Sequence, residues 1–189
     1  MRHHNYIDRV AFRKNIFCLA LLLLPFTGLN LYAQKSSVSE NKIKAVFLFN
    51  FTRFIDWPES SFSSPLAPFI IGIIGNGPWV SSYIEEAVVD EKVGTHPIVV
   101  EHYYDKKEII YCHILYINYT KEEQTIETIA ALTNRSILTV SDAPNFNELG
   151  GMVRFYTEQN KIRLQINTDV AKLAQLSISS KLLKVTKTK

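Results

Sequence analysis

The stretch FIIGIIGNGPW, residues 69–79, decides the fold class of this chain. Its first six residues are continuously apolar, except for one glycine, which is typical of a strand that is covered on both faces of a sheet. A glycine-containing turn follows, and Pro78 suits the first position of a helix that we expect to continue to about Val89. A buried strand that leads directly into a helix predicts one βα unit of a parallel sheet.

The same alternation continues on the C-terminal side of this unit. Further strands are predicted at residues 96–103, 111–117 and 136–140. A helix over residues 121–132 precedes the last of these strands, and residues 152–156 and 162–166 alternate apolar and polar side chains as an antiparallel hairpin does. Asn167 can cap a final helix. The sequence therefore predicts an α/β domain with a mixed, mostly parallel sheet of about six strands flanked by helices, with a C-terminal antiparallel hairpin and helix.

Upstream of the first strand, residues 40–55 are predicted to form a helix. Its apolar residues recur at steps of four, four and three, and they predict a core-facing stripe of Ile43, Phe47, Phe51 and Phe54, flanked by Leu48 and Ile55. Pro58 ends the helix, because the residue before a proline disfavours the helical conformation. A loop rich in Ser and Pro, residues 58–68, then leads to the first strand.

Aromatic residues around the end of this helix suggest a surface for protein–protein contact. Phe49 falls on the arc opposite the core-facing stripe, beside Arg53, and the chain leads on to Trp57 and Phe62. Aromatic and arginine side chains are the preferred anchors of protein interfaces. These four residues are the candidates for a partner or dimer interface, while burial in the core is the alternative for each aromatic. We expect Phe49→Asp to weaken association and to leave the fold intact.

The first 33 residues have the three zones of an export signal. A basic region ends at Lys14, an apolar run of 11 residues follows (Ile16–Phe26), and small Ala33 suits the cleavage site. A membrane anchor is the alternative, but the apolar run is only about half of the ~20 residues that a spanning helix needs. We therefore expect cleavage after about Ala33, a single domain over residues 34–189, and a periplasmic protein that is not inserted in the membrane.

The charge distribution argues against nucleic-acid binding. The formal net charge is +3, and the first 33 residues supply all of it. Residues 34–189 carry 17 basic and 17 acidic side chains. A nucleic-acid-binding protein needs a surplus of cations that displaces phosphate counterions, so nucleic acid is not an expected partner.

The turn formed by Gly75, Asn76 and Gly77 lies between a strand and the start of a helix, where free backbone N–H groups could hold an anion or a nucleotide. Its glycine spacing differs from the dinucleotide-binding pattern, and a tight turn favours glycine in any case. No hydrolase or metalloprotease motif occurs, so we predict no catalytic residues, no cofactor and no metal. The turn is the basis of an alternative function, that of a periplasmic small-ligand-binding protein or enzyme.

Cleavage of the leader would leave Cys112 as the single cysteine of the mature chain. It lies in the apolar run YCHILYI, where a thiol acts mainly as a small hydrophobic group. A lone thiol cannot form an intramolecular disulfide. We therefore expect Cys112 to be buried and inert.

Four segments together resemble the YfiR-like family of periplasmic regulators. They are IKAVFLFNFTRFIDWP (residues 43–58), IIGIIGNGPW (70–79), CHILYI (112–117) and the closing GGMVRFYTEQNKIRLQINTDVAKLAQLSISSKLL (150–183). The resemblance implies an α/β domain that forms homodimers and restrains the external sensor domain of an inner-membrane signalling protein, a diguanylate cyclase or a sensor kinase. Cys112 matches one cysteine of the branch of this family that senses redox state, but its usual partner would fall at residues 69–71, where this chain has none. Redox sensing by an internal disulfide is therefore not implied.

Overall fold

A computed structural model describes the backbone of residues 30–76 and 79–188 and the side chains of residues 38–76 and 81–188. The predicted signal peptide lies almost wholly outside the described residues. Residues 40–189 form one compact unit. Among the helices of the described part, none combines the length and the apolar character that crossing a membrane requires.

Helices and strands alternate through most of this unit. The helices are α1 (Asn30–Phe54), α2 (Trp79–Val88), α3 (Glu122–Ala131), α4 (Thr168–Leu173) and α5 (Ser180–Leu183). The strands are β1 (Ile55–Asp56), β2 (Phe69–Gly75), β3 (Lys92–Val93), β4 (His96–Tyr103), β5 (Ile114–Asn118), β6 (Leu138–Ser141), β7 (Val153–Glu158), β8 (Lys161–Ile166), β9 (Ser177–Ile178) and β10 (Lys187–Thr188).

The central sheet has eight strands in the order β10-β8-β7-β6-β5-β2-β4-β3. Strands β4, β2, β5, β6 and β7 run parallel, β8 returns antiparallel to β7, and β3 pairs antiparallel with β4. This confirms the predicted mixed, mostly parallel sheet and its C-terminal hairpin. The two additional strands, β3 and β10, have two residues each. A separate pair, β1 with β9, forms a small antiparallel sheet.

Strand β5 shows why the central strands are apolar throughout. Ile114 and Tyr116 belong to a core on one face of the sheet, together with Phe51 of α1. Leu115 and Ile117 belong to a second core on the opposite face. Because both faces are covered, the sequence pattern is a continuous apolar run and not an alternation.

Helix α1 begins at Asn30, ten residues before the predicted start. The intervening residues 30–39 include neither Gly nor Pro, so nothing in them interrupts a helix. The end of α1 at Phe54 agrees with the expected effect of Pro58.

The core-facing stripe of α1 was predicted at the wrong rotation. Ile43 was assigned to the core, but 42% of it is exposed, and Phe47 and Phe54 are only partly buried. The fully buried apolar positions are Phe51, as predicted, the two predicted flanking residues Leu48 and Ile55, and Ala45. The reason is Lys44, which lies on the buried side, where its Nζ is 2.7 Å from Asp142 Oδ2. A lysine marks a solvent face in a sequence pattern, whereas an ion pair makes its burial tolerable here.

Candidate functional site

Phe49 and Arg53 lie one turn apart on α1 and contact each other. The guanidinium carbon of Arg53 lies 4.7 Å from the centroid of the Phe49 ring, and Arg53 Nη2 is 3.7 Å from Glu91 Oε2. Arg53 is exposed, as expected. Phe49, however, is partly buried and packs against the main core. The expectation that Phe49 has no intramolecular burial was wrong.

The position of α2 explains this burial. Lys42 precedes Phe49 by two helical turns on the same arc, and its Nζ lies 5.6 Å from the ring centroid of Tyr83 in α2. Arg53 continues the arc and reaches Glu91 just after α2. The arc is therefore flanked by a second helix, and the core extends around α1 as far as Phe49.

Trp57 and Phe62 lie in a different place, in a cluster of aromatic rings around His113. The Trp57 ring meets Phe69 edge-on at 4.9 Å, and Trp57 Nε1 donates a hydrogen bond to the backbone oxygen of His113 at 3.1 Å. The Phe62 ring lies between His96, at 3.9 Å, and His113, at 4.5 Å. Partial burial of Trp57 was predicted and is confirmed. Intramolecular packing accounts for both rings in this conformation.

A surface that the sequence did not reveal lies on the outer side of α1. Ile43 and Val46 are 42% and 51% exposed, and they line a shallow groove of about 340 Å³ with Lys42, Phe47 and Asn50. We call these five residues the α1 surface. Exposed aliphatic and aromatic side chains that adjoin one another are typical of protein-contact sites. The sequence pattern missed this surface because it placed Ile43 and Phe47 in the core.

The glycine turn lies where the strand order of the sheet reverses, beside the carboxyl ends of β2 and β5. Gly75 has φ +107°, and a Cβ atom on it would lie 2.3 Å from the backbone oxygen of Asn118, so only glycine fits. Asn76 Nδ2 donates to Thr120 Oγ1 at 3.1 Å. Gly77 lies outside the described residues.

Ligands of open α/β sheets bind at such reversals of strand order. A cavity of about 430 Å³ that Thr120 helps to line is also lined by Glu122 and Asp142. Two carboxylates lower the affinity for an anion, so the cavity does not favour the predicted anion site. That site stays a prediction.

Cys112 is fully buried, and it is the one free cysteine among the described residues. A Cβ atom on Gly72 would lie only 3.2 Å from its sulfur, which shows how closely the thiol is packed. Burial raises the pKa of the Cys112 thiol well above its ordinary value. The predicted burial is confirmed, and the predicted resistance to oxidation follows from it as an expectation.

No three His, Cys, Asp or Glu side chains within the described part of the chain lie close enough together to hold a metal ion. His96 and His102, which share a strand, each have a separate partner. The ring nitrogen Nδ1 of His96 is 2.7 Å from the Ala67 oxygen, and Nε2 of His102 is 3.2 Å from Glu85 Oε1.

Several solved structures are remotely similar to this chain. The chain is 12% identical to a conserved domain protein from Vibrio cholerae O1 biovar El Tor, covering 64% of this chain and 55% of that one with a TM-score of 0.48. It is 11% identical to the ABC domain in complex with L-Trp from Streptococcus pneumoniae, covering 63% and 54% with a TM-score of 0.46. The chain thus spans about half the length of these solved structures. No curated protein matches.

The informative match is to a family model and extends through the whole α/β unit, from the middle of α1 to the last strand. It includes the four segments on which the resemblance was based. Proteins of this family are periplasmic regulators and not enzymes. The match over residues 41–187 shows that this chain belongs to the YfiR/HmsC-like family.

Proposed function

We propose that this protein is an exported, non-enzymatic regulator that binds and restrains the external sensor domain of an inner-membrane diguanylate cyclase or sensor kinase. The observation that carries the proposal is the family match over residues 41–187. Export would depend on the signal peptide at residues 1–33, with cleavage after about Ala33.

The α1 surface is the part of the protein that best suits such a partner. Its two most exposed apolar side chains, Ile43 and Val46, lie one turn apart on a single helix. An apolar patch on a rigid helix can be buried against a receptor at little cost in ordering. Lys42 at its rim adds a positive charge that can select an acidic partner. The same surface is our candidate for the homodimer contact.

The mechanism would be differential binding. A regulator that binds the inactive state of a receptor more tightly than the active state shifts the receptor toward inactivity, by at most the difference in binding free energy. A signal that weakens the complex then releases the receptor. Catalytic residues are not needed for this mechanism.

Gene deletion and complementation test the proposal. Deletion should raise the cellular level of cyclic di-GMP or the output of the sensor kinase that the protein restrains. Expression of the full-length chain should return this signal to its original level. Val46→Asp should fail to restore it, because a carboxylate in the contact opposes burial. Val89→Asp is the matched control, since Val89 is also an exposed valine, 65% against 51% for Val46, but lies just after α2. Unchanged signalling after deletion would contradict the proposed function, and equal behaviour of the two variants would contradict the choice of surface.

A further inference from the structure

His113 is a buried histidine whose hydrogen bonding defines its protonation. It lies directly before β5 and is 1% exposed. Its Nδ1 accepts a hydrogen bond from the Ile70 N–H at 3.0 Å. A ring nitrogen that accepts carries no proton, so the proton of the neutral ring is on Nε2. That nitrogen is buried and has no well-aligned partner, although the Ser61 backbone is nearby.

Aromatic rings enclose His113 on several sides. The ring centroids lie 4.4 Å away for Phe69, 4.5 Å for Phe62, 4.9 Å for Tyr111 and 6.3 Å for Trp57. Trp57 and Phe62 belong to residues 57–68, which we call the cover. The Ser and Pro content of the cover leaves it with little regular structure of its own, apart from one 3-10 turn at Glu59–Ser61.

The cover is held by a few polar contacts. Two of them are the bond from Trp57 Nε1 to the His113 oxygen and a bond of 2.6 Å from Thr95 Oγ1 to the Pro65 oxygen. A third joins His96 Nδ1 to the Ala67 oxygen, with His96 as donor because a carbonyl only accepts. Phe62 adds its contacts with the rings of His96 and His113. The His113 ring itself contacts Phe62 and Trp57, so displacement of the ring disturbs the first half of the cover.

A second proton on the His113 ring is unfavourable in the closed conformation. It would have to sit on Nδ1, where it would face the Ile70 N–H, so that two donors would oppose each other. The titratable groups facing the ring are His96 and Tyr111, and neither supplies a negative charge at acidic pH. Burial, with a smaller effect of His96, lowers the pKa of His113 to about 4.

We propose that His113 is an acid-operated latch: its protonation breaks the bond to Ile70, displaces the ring from the aromatic cluster and opens the cover. Opening exposes Trp57 and Phe62, the two aromatic residues that the closed structure packs inside. The latch depends on the geometry around His113 and not on the proposed regulatory function.

The difference between the pKa values of His113 in the open and closed forms gives the size and sign of the effect of pH on opening. In an open cover His113 would titrate near its ordinary value of 6.5, whereas in the closed form it titrates near 4. The open form therefore binds more protons between these values, and opening becomes easier as the pH falls through that window. From pH 7.5 to 4.5 the opening equilibrium should rise roughly 70-fold.

Native-state hydrogen exchange of the Ile70 amide measures this opening. Its protection factor, corrected for the intrinsic exchange rate, should fall roughly 70-fold from pH 7.5 to 4.5. The amide of Ile166 in β8, far from the cover in the sheet order, is the reference and should change much less. An equal fall at both amides would show global destabilisation and would overturn the latch, as would unchanged protection of Ile70.

His113→Asn is the decisive variant, because Asn Oδ1 can accept from Ile70 N–H but does not titrate. In this variant the protection of Ile70 should be nearly independent of pH. His102→Gln, which removes an exposed histidine paired with Glu85, should behave like the native protein. If His113→Asn does not fold, titration of the native His113 ring protons by NMR decides the matter, since a midpoint near 6.5 would overturn the proposal. None of these measurements involves a partner, so they fail or succeed independently of the regulatory function.

Discussion

The ion pair between Lys44 and Asp142 leads to an asymmetric prediction: removing the anion should cost more stability than removing the cation. The Lys44 side chain is 7% exposed, whereas Asp142 is 30% exposed. Glu40 lies 3.4 Å from the same Nζ and is 34% exposed. The lysine is therefore the desolvated member of the group, while both carboxylates keep access to water.

The magnitudes follow from this difference in burial. Removing one partner of a fully buried pair costs about 3–5 kcal/mol. Because Asp142 is partly hydrated and Glu40 stays near the ammonium group, we expect Asp142→Asn to cost about 2 kcal/mol. Lys44→Met leaves two carboxylates that water can reach, since Glu40 and Asp142 are 34% and 30% exposed. We expect it to cost about 1 kcal/mol or less.

Urea unfolding at pH 7 measures both free energies. With an m-value of about 2 kcal/mol per molar, Asp142→Asn should lower the midpoint by about 1 M. Glu127→Gln is the control, because Lys106 Nζ is 2.6 Å from Glu127 Oε2 but Glu127 is 64% exposed, and we expect a cost of about 0.5 kcal/mol. A larger effect of Lys44→Met than of Asp142→Asn would refute the reasoning, and so would equal midpoints for Asp142→Asn and Glu127→Gln.

Two further predictions concern residues that were singled out in the sequence. Phe49→Ala should lower the free energy of unfolding by about 2 kcal/mol, since the half-buried ring packs on the core. Arg53→Ala should lower it by less than about 1 kcal/mol. Thermal unfolding compares the two variants, and a Phe49→Ala variant that keeps full stability but loses self-association would support the interface role of Phe49 instead. Because Cys112 is buried and its pKa is raised, the oxidised mature protein should migrate equally on gels with and without reductant. Iodoacetamide should label Cys112 only after denaturation. A covalent dimer would show that the thiol is accessible.

The central strands could be predicted because burial on both faces leaves a direct trace in the sequence. Strand β4 has the predicted limits, His96 and Tyr103. The N-cap of α4 was also recognisable, since Asn167 Oδ1 accepts from the Val170 N–H at 3.2 Å. In both cases the signal is local: a run of apolar residues or a capping side chain within one turn.

The short strands could not be predicted in the same way. Strands β1 and β9 have two residues each and pair Ile55 with Ile178 and Asp56 with Ser177. Two residues show no periodicity, and the pairing depends on the return of the chain from far along the sequence. Strand β10 could not be predicted for the same reason, because only its pairing with β8 identifies it as a strand.

The partial burial of Phe49 could not be predicted for a related reason. A helix pattern shows that one arc is apolar, but it does not show how many neighbours the helix has. Helix α1 packs on the sheet through Phe51, which stacks on Phe155, and it also contacts α2 through Lys42 and Tyr83. With two sides covered, an aromatic residue on the outer arc, Phe49, is partly buried.

The same packing decides which residues are left for a partner. The aromatic side chains near the end of α1 are held inside, Phe49 beside α2 and Trp57 under the contacts of the His113 cluster. Ile43 and Val46 of the same helix stay 42% and 51% exposed. Aromatic residues are enriched both in interfaces and in cores, so their presence alone does not distinguish the two. Exposure does, and for this reason we propose the aliphatic residues of the α1 surface as the contact, while the interface role of Phe49, Arg53, Trp57 and Phe62 stays a prediction.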